Sequence, residues 1–434
     1  MREAEEAEVV DLDHDGRGVA RLGGKAVFVA GALPGERVLL RRLRRRARHD
    51  EAILLEVRAA SPVRVDPACA HYGRCGGCAL QHLAPAAQVE AKGRELANAL
   101  ARIGHVEPEA WLAPLTGPSY HYRRRARLGV RVLPRSGRAI VGFRERTSPR
   151  LADVRSCEVL APPVGALCEA LGELIGTLSV AERLPQIEVA VGERATVLVA
   201  RVLSAPSASD LERLREFGRS HGVEFWLQPG GAETAAPIDP PGAVLDYTLP
   251  EFGVTLEFAP LDFVQVNAEL NRRMVTRAIE LLAPEPGDAV LDLYCGLGNF
   301  TLPLARRAAE VQGIEGEAGL VARARRNAEL NGLGNARFAL ADLAVPPGRE
   351  PWAQRRYQRV LLDPPRAGAE AVLGLIGASA ARRVVYISCH PASLARDAGL
   401  LVQQHGFRLG AAGVMDMFPH TAHVESIAVF ERDA

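Results

Sequence analysis

The chain has 434 residues, of which 48% are hydrophobic and 24% charged, with a formal net charge of +1. That length exceeds one ordinary core and predicts two or three domains, each large enough to fold. The composition excludes a disordered chain, and the longest nearly apolar run, residues 371–381, is too short to span a bilayer. The first fifteen residues are acidic and lack the cationic and apolar stretches of an export signal, so the chain is expected in the cytoplasm. Its seven cysteines are not expected to form structural disulfides there. Near-neutral total charge does not exclude a nucleic-acid partner, because charge can be segregated. Residues 37–48 hold seven arginines and no acid, and residues 121–131 hold five arginines and no acid. Arginine is used almost throughout, with only Lys25 and Lys92 as lysines, so its abundance alone says little. Two acid-free runs nevertheless favour phosphate contact over a merely solvated face.

In chain order, residues 1–60 alternate short β-type runs (27–30, 38–40, 52–57) with the turn signals Asp15-Gly16, Gly23-Gly24 and Pro34-Gly35, which predicts a small β-barrel. Cys69, Cys75 and Cys78 follow, with Gly76-Gly77 in the shorter gap. Close thiols separated by small residues suit a metal or an iron-sulfur cluster. A fourth ligand must come from far along the chain, Cys157 or Cys168, and Cys157 is the better candidate. Zinc and plain redox thiols are the alternatives. Residues 85–104 carry Val89, Leu96, Leu100 and Ile103 near helical spacing, which predicts an amphipathic helix. From 120 to about 258 the pattern is mixed and mostly strand-like, with a helix near 208–221. After Leu261, helices (267–282, 301–309, 318–331) alternate with strands (289–294, 311–315, 360–363, 384–388), the pattern of a parallel sheet covered on both faces.

The strand at 289–294 runs into Cys295-Gly296-Leu297-Gly298-Asn299, where glycines let the backbone turn tightly and a ligand approach. An ordinary strand-to-helix turn is the plain alternative. The acid ending the next strand, Glu315, suits ribose hydroxyls, and Asp342, which ends the segment 336–342, could read an adenine amino group. Acids at these positions fit a nucleoside without phosphates, which favours S-adenosylmethionine over a dinucleotide. Asp363-Pro364-Pro365 ends the fourth strand, and Arg366 stands where methylases of exocyclic amines carry an aromatic residue, leaving a carbon target open.

Cys389 ends the next predicted strand, and His390-Pro391 opens a helix, an arrangement expected to favour thiolate. A thiolate adding to carbon 6 of uracil activates carbon 5 for methylation, after which a base must remove the carbon 5 proton. Glu425 is the candidate base. A buried core cysteine, an ion-paired Glu425, and metal ligation by His420, His423 and Glu425 are the alternatives, and Cys295 is a rival nucleophile.

Assembled, these residues resemble the bacterial RNA (uracil-5-)-methyltransferase family over essentially the whole length, specifically its 23S rRNA branch with a TRAM domain and a 4Fe-4S cluster. The TRAM pattern is similar to Gly16-x-Gly18-Val19-Ala20 and Leu33-Pro34-Gly35-Glu36. The resemblance implies Cys69, Cys75, Cys78 and Cys157 as cluster ligands and Gln265, Tyr294, Asn299, Glu315, Asp342 and Asp363 as cofactor-binding residues. It further implies Cys389 as nucleophile and Glu425 as base. Tyr294 stands where phenylalanine is common, and Asp342 can be asparagine. The implied architecture is an N-terminal TRAM barrel of OB-like form (1–60), a central α+β iron-sulfur domain (61–84 and 114–258) and a discontinuous Rossmann-like α/β methyltransferase domain (85–113 and 259–434). The implied partner is 23S rRNA, with no membrane and no obligate protein partner. A methyltransferase for tRNA or another 23S uridine, and a non-catalytic RNA-binding assembly factor, are the alternative functions.

Overall fold

A computed structural model describes residues 4–133 and 137–433. Five strands, Glu5–Leu12, Gly18–Leu22, Lys25–Ala30, Arg37–Arg45 and His49–Ala59, close a barrel. Alternate side chains, among them Val9, Ala20, Val27, Val29 and Val38, fill its interior. The second glycine of the early motif has a steric reason. A Cβ on Gly18 would lie 2.8 Å from the Ala32 carbonyl oxygen. Glu36, fully buried, accepts the backbone amides of Leu33 and Ser61 and a two-pronged bond from Arg64, so it ties the barrel to the segment that enters the cysteine loop. Burial raises its pKa, but Arg64 and the two amides outweigh burial and hold the carboxyl below its usual range.

The helix Pro85–Ala99 continues through one π turn, Leu100–Gly104. Val89, Leu96 and Leu100 pack with Leu394, Ala398 and Leu401 of the helix Pro391–His405. A Cβ at Gly104 would meet the Ala395 carbonyl oxygen at 2.4 Å, so glycine there permits backbone-to-backbone contact between the two helices. Beyond it, Ala110–Trp111 pairs in parallel with Arg408–Met415 at the edge of the C-terminal sheet.

A six-stranded sheet runs, in spatial order, Ala236–Pro237, Glu224–Gln228, Thr196–Arg201, Gln186–Val191, Arg125–Val132 and Ala139–Gly142. The helices Cys168–Gly176 and Ala208–His221 pack into the core on one side of it. On the other, Ala190, Val197 and Val199 join the hairpin Leu245–Leu249/Val254–Phe258 and the helix Ala268–Leu282 in one core. Asn327 and Asn331 each make two hydrogen bonds to the hairpin backbone at Glu257 and Thr255. The expected boundary at 258 therefore runs through a shared core, because the hairpin packs on the methyltransferase side.

The C-terminal sheet has eight strands in the order Ala336–Leu340, Glu310–Glu315, Ala289–Leu293, Arg359–Leu362, Arg383–Ser388, Glu425–Glu431, Arg408–Met415 and Ala110–Trp111. The first five are parallel. Glu425–Glu431 is antiparallel to both neighbours, so the sheet is mixed rather than wholly parallel. Residues 416–424 return the chain without a crossover helix, which permits the reversal. Among the described residues no helix is long and apolar enough to cross a membrane.

Candidate active site

The strand Ala289–Leu293 delivers the glycine turn to the carboxyl edge of the sheet. Tyr294 (φ +63), Gly296 (φ +56) and Gly298 (φ +99) all adopt left-handed backbone, which only the glycines take without strain. Glu315 ends the neighbouring strand and accepts the amides of Gly296 (3.0 Å), Gly316 (2.8 Å) and Glu317 (3.1 Å), tying two strand-to-helix turns together. Asp342 accepts the Ala344 amide, beside the Leu343 carbonyl that accepts the Tyr294 hydroxyl. Asn299 accepts the Tyr247 hydroxyl and exchanges hydrogen bonds with Asn271, so the hairpin and the helix Ala268–Leu282 both brace the turn. Gln265 donates to Asp363 at 3.2 Å, and buried Arg124 donates to the Gln265 carbonyl while lying 4.4 Å over the Tyr247 ring.

Cys389 and Glu425 are brought together by strand register. The ladder between Arg383–Ser388 and Glu425–Glu431 ends on the pair Ser388 and Ser426, which leaves Cys389 just past one strand end and Glu425 just before Ser426 on the other, close enough for the Glu425 charge to bear on the Cys389 thiol. Asp363 follows directly on the adjacent parallel strand. Acids crowd these strand tips. Burial first, then Asp363 and Glu315, raise Asp292 to about 8, and its Oδ1 is a buried oxygen with no partner. Burial raises Asp363, which the Gln265 bond opposes, and burial together with Asp363 raises Glu425 well above the carboxylate range. The Cys389 thiol is pushed up to about 11 by burial, Glu425 and Asp363, against the pull of Arg366. Burial and two acidic neighbours thus oppose the thiolate that the helix N-terminus is expected to favour.

Cys295 is 2% exposed and packs behind the turn, its sulfur 2.9 Å from where a Cβ on Gly313 would lie, so it is no rival nucleophile. His420 turns to Gln88 and stacks on Tyr120, whereas His423 accepts from Arg366 at 2.6 Å. The two histidines and Glu425 do not converge on one point, and among the described residues no group of three or more candidate ligands could hold a metal ion.

One cavity of about 730 Å³ opens onto both groups of residues. Cys69, Cys75, Cys78 and Cys157 line it together with Cys389, His390, Arg366 and His423, and the barrel residues His14 and Asp15 reach its rim. The loop carrying the first three cysteines is closed by Gly76 donating to the Arg144 carbonyl and by Arg146 donating to the Cys78 carbonyl. Burial, opposed by a Gln81 hydrogen bond and reinforced by the neighbouring thiols, raises Cys78 to about 12.

The family model described as tRNA (Uracil-5-)-methyltransferase matches residues 253–344 and 352–433, and that of the TRAM domain matches residues 2–39. A protein of Alkalilimnicola ehrlichii named 23S rRNA (uracil(1939)-C(5))-methyltransferase RlmD is 55% identical over all of this chain and 98% of its own length. One of Methylococcus capsulatus with the same name is 51% identical over 98% of this chain and 96% of its own. The chain belongs to the RNA uracil-C5 methyltransferase family. The solved structure of a Pyrococcus abyssi tRNA (uracil-54, C5)-methyltransferase in complex with S-adenosyl-L-homocysteine matches this methyltransferase in fold, with TM-score 0.75, 24% identity and coverage of 98% of this chain and 99% of that one.

For this methyltransferase, sequence reading named the residues at the strand tips but missed those that brace them. Tyr247, Asn271 and Arg124 stand beside the glycine turn or Gln265, and Asp292 sits beneath it. Only Asp292 left a trace, as an acid inside the otherwise apolar strand Ala289–Leu293.

Proposed function

We propose that this chain methylates carbon 5 of one uridine in 23S rRNA, the uridine numbered 1939 in the name of its relatives, with S-adenosylmethionine as donor. The observation that carries the reading is that Cys389 and Glu425 flank the last ladder pair, Ser388 and Ser426, at the strand tips, in a chain matched end to end by a protein of that name.

The target uridine must leave its stack to reach the cavity. Cys389, having lost its thiol proton to water, adds as thiolate through sulfur to carbon 6, and the C5–C6 electron pair moves into an enolate whose carbon end is carbon 5. Bound S-adenosylmethionine supplies an electrophilic methyl group on a sulfonium, which no side chain provides. Carbon 5 takes that methyl as its bond to the donor sulfur breaks and the neutral thioether leaves; carbon 5, now bearing both methyl and hydrogen, gives that hydrogen as a proton to Glu425. The released pair restores the C5–C6 double bond as the Cys389 sulfur leaves. A carboxyl whose pKa burial has raised is a stronger base once ionised, which suits Glu425 to this step.

Gln265, Tyr294, Asn299, Glu315, Asp342 and Asp363 are the proposed cofactor residues, with Glu315 serving ribose and Asp342 adenine. The strand-tip acids and the unpartnered Asp292 Oδ1 suit a ligand that brings positive charge. The division into domains follows the boundaries given above, with residues 245–258 counted with the catalytic core, and the enzyme works in the cytoplasm.

Cys69, Cys75, Cys78 and Cys157 are the proposed ligands of a 4Fe-4S cluster. They wall one cavity together, and four thiols gathered at one wall suit a cluster whose own irons and sulfides bridge them. Protein purified without oxygen is expected to be brown, with iron and sulfide in equal amounts, and Cys78→Ser to be colourless. Colourless wild-type protein carrying zinc would overturn this.

Methyl-uridine mapping tests the address. Deleting the gene should remove 5-methyluridine at position 1939 alone, and restoring it should return the mark. Loss at a tRNA or another 23S position would move the address and keep the chemistry. No change in any methyl-uridine would favour the assembly factor.

A further inference from the structure

We infer that Gln88 and Lys92, outside the catalytic domain's main run of sequence, are positioning residues that hold residues 416–424, and through them Glu425, beside Cys389. The inference rests on the reading of Glu425 as the base.

Residues 416–424 contain neither helix nor strand, yet Asp416, Met417, His420, Thr421 and Val424 are all buried. Buried irregular backbone must find hydrogen-bond partners outside itself. A few are local, such as the Thr421 amide to the Phe418 carbonyl, but many come from nearly three hundred residues or more upstream. Gln88 accepts the His420 amide at 2.8 Å, and its own amide nitrogen lies 3.2 Å from the His420 ring while also donating to the Leu80 and Leu83 carbonyls. The amides of Ala79 and Leu80, immediately after Cys78, both donate to the His420 carbonyl at 2.8 and 2.9 Å. Lys92, 3% exposed, donates to the Asp416 carboxylate at 2.6 Å and to the Phe418 carbonyl at 3.0 Å. Tyr122 donates to the Pro419 carbonyl.

The consequence falls on Glu425. The ladder fixes the backbone from Glu425 onward, with Glu425 paired to Met415 and Ser426 to Ser388. On its N-terminal side residues 416–424 are irregular and held by this clasp together with a few bonds of their own, and His420 at the centre sits at φ +66, a conformation that needs outside support. Lys92 is itself a pointer. It is one of two lysines among 53 basic residues, and the site uses an ammonium's compact set of donors to reach a carboxylate and a carbonyl at once. The cysteine loop and the helix Pro85–Ala99 thus reach the base through His420 without touching the reacting atoms.

The test uses the full-length, cluster-loaded protein. Gln88→Leu removes one side of the clasp. Lys92→Met combined with Asp416→Asn removes the other without leaving a buried charge unpaired. Gln88→Asn, which only retracts the amide, serves should either fail to fold. Four quantities are read: kcat, KM for RNA, cofactor affinity, and the fraction of enzyme held as a denaturation-resistant RNA adduct. Since misplacing a catalytic group by about 1 Å can cost about 100-fold, kcat is expected to fall about 10- to 100-fold. KM and cofactor affinity should stay within about twofold, and adduct should accumulate because elimination is the step that slows. Wild-type kcat in folded variants, or a loss confined to KM or cofactor affinity without adduct, would overturn the inference. Glu425→Gln is run beside them. If it accumulates adduct and the clasp variants do not, the positioning role alone fails; if it accumulates none, the base assignment fails first.

Discussion

Glu425→Gln is expected to stop the enzyme after methyl transfer, with the RNA covalently attached to Cys389. The methylated adduct can revert to product only by losing the carbon 5 proton, and the amide of glutamine cannot take it. Removal of a general base costs roughly 100- to 10,000-fold in its step, so elimination becomes slower than any other event in the cycle. Glutamine keeps the size of the side chain, and the position is 2% exposed, so the packing around it is preserved. Isotope from a methyl-labelled donor should therefore migrate with protein in a denaturing gel, in an RNase-sensitive band, at close to one equivalent per active site. Release of methylated RNA at the wild-type rate would remove Glu425 from the mechanism and leave Asp363, its acidic neighbour, as the group to examine.

The parts of this site that were legible in sequence are those whose chemistry is local. A strand ending in Gly-x-Gly, an acid at the end of the next strand, and a cysteine between a strand and a proline-led helix each carry their meaning in a few residues. The helix Ala208–His221 was equally readable, because Ser207 and Asp210 form a capping box and Gly222 ends it in left-handed backbone. What was not legible is contact between distant segments. Nothing near Tyr247 says that its hydroxyl braces Asn299, and nothing near Lys92 says that it meets Asp416. The antiparallel last strand was missed for the same reason: a run of buried residues such as Glu425–Glu431 has no direction until its partner is known. Charge was less legible, because ionisation depends on what surrounds a group. The helix after His390 was visible in sequence, whereas the burial of Cys389 against Glu425 and Asp363 was not.

That environment yields the second large effect. Cys389→Ala should abolish methyl transfer, by about four orders of magnitude or more if the covalent path is the only one open, while leaving cofactor affinity intact. In the wild-type protein the thiol's pKa of about 11 means that the reactive thiolate is scarce at neutral pH and grows as pH rises. Below that pKa each added pH unit should raise the alkylation rate of Cys389 in the ligand-free protein about tenfold. S-adenosylmethionine carries a sulfonium charge, and a cation near Asp363 stabilises the thiolate, so its binding should move this titration to lower pH. S-adenosylhomocysteine has nearly the same shape without that charge and should move it less. Following alkylation of the Cys389 peptide by mass spectrometry across pH, with each ligand in turn, separates charge from occupancy. Equal shifts from both ligands would mean that the sulfonium plays no part in activating the nucleophile. Arg366 would then be the remaining cation set against the acids beside Cys389.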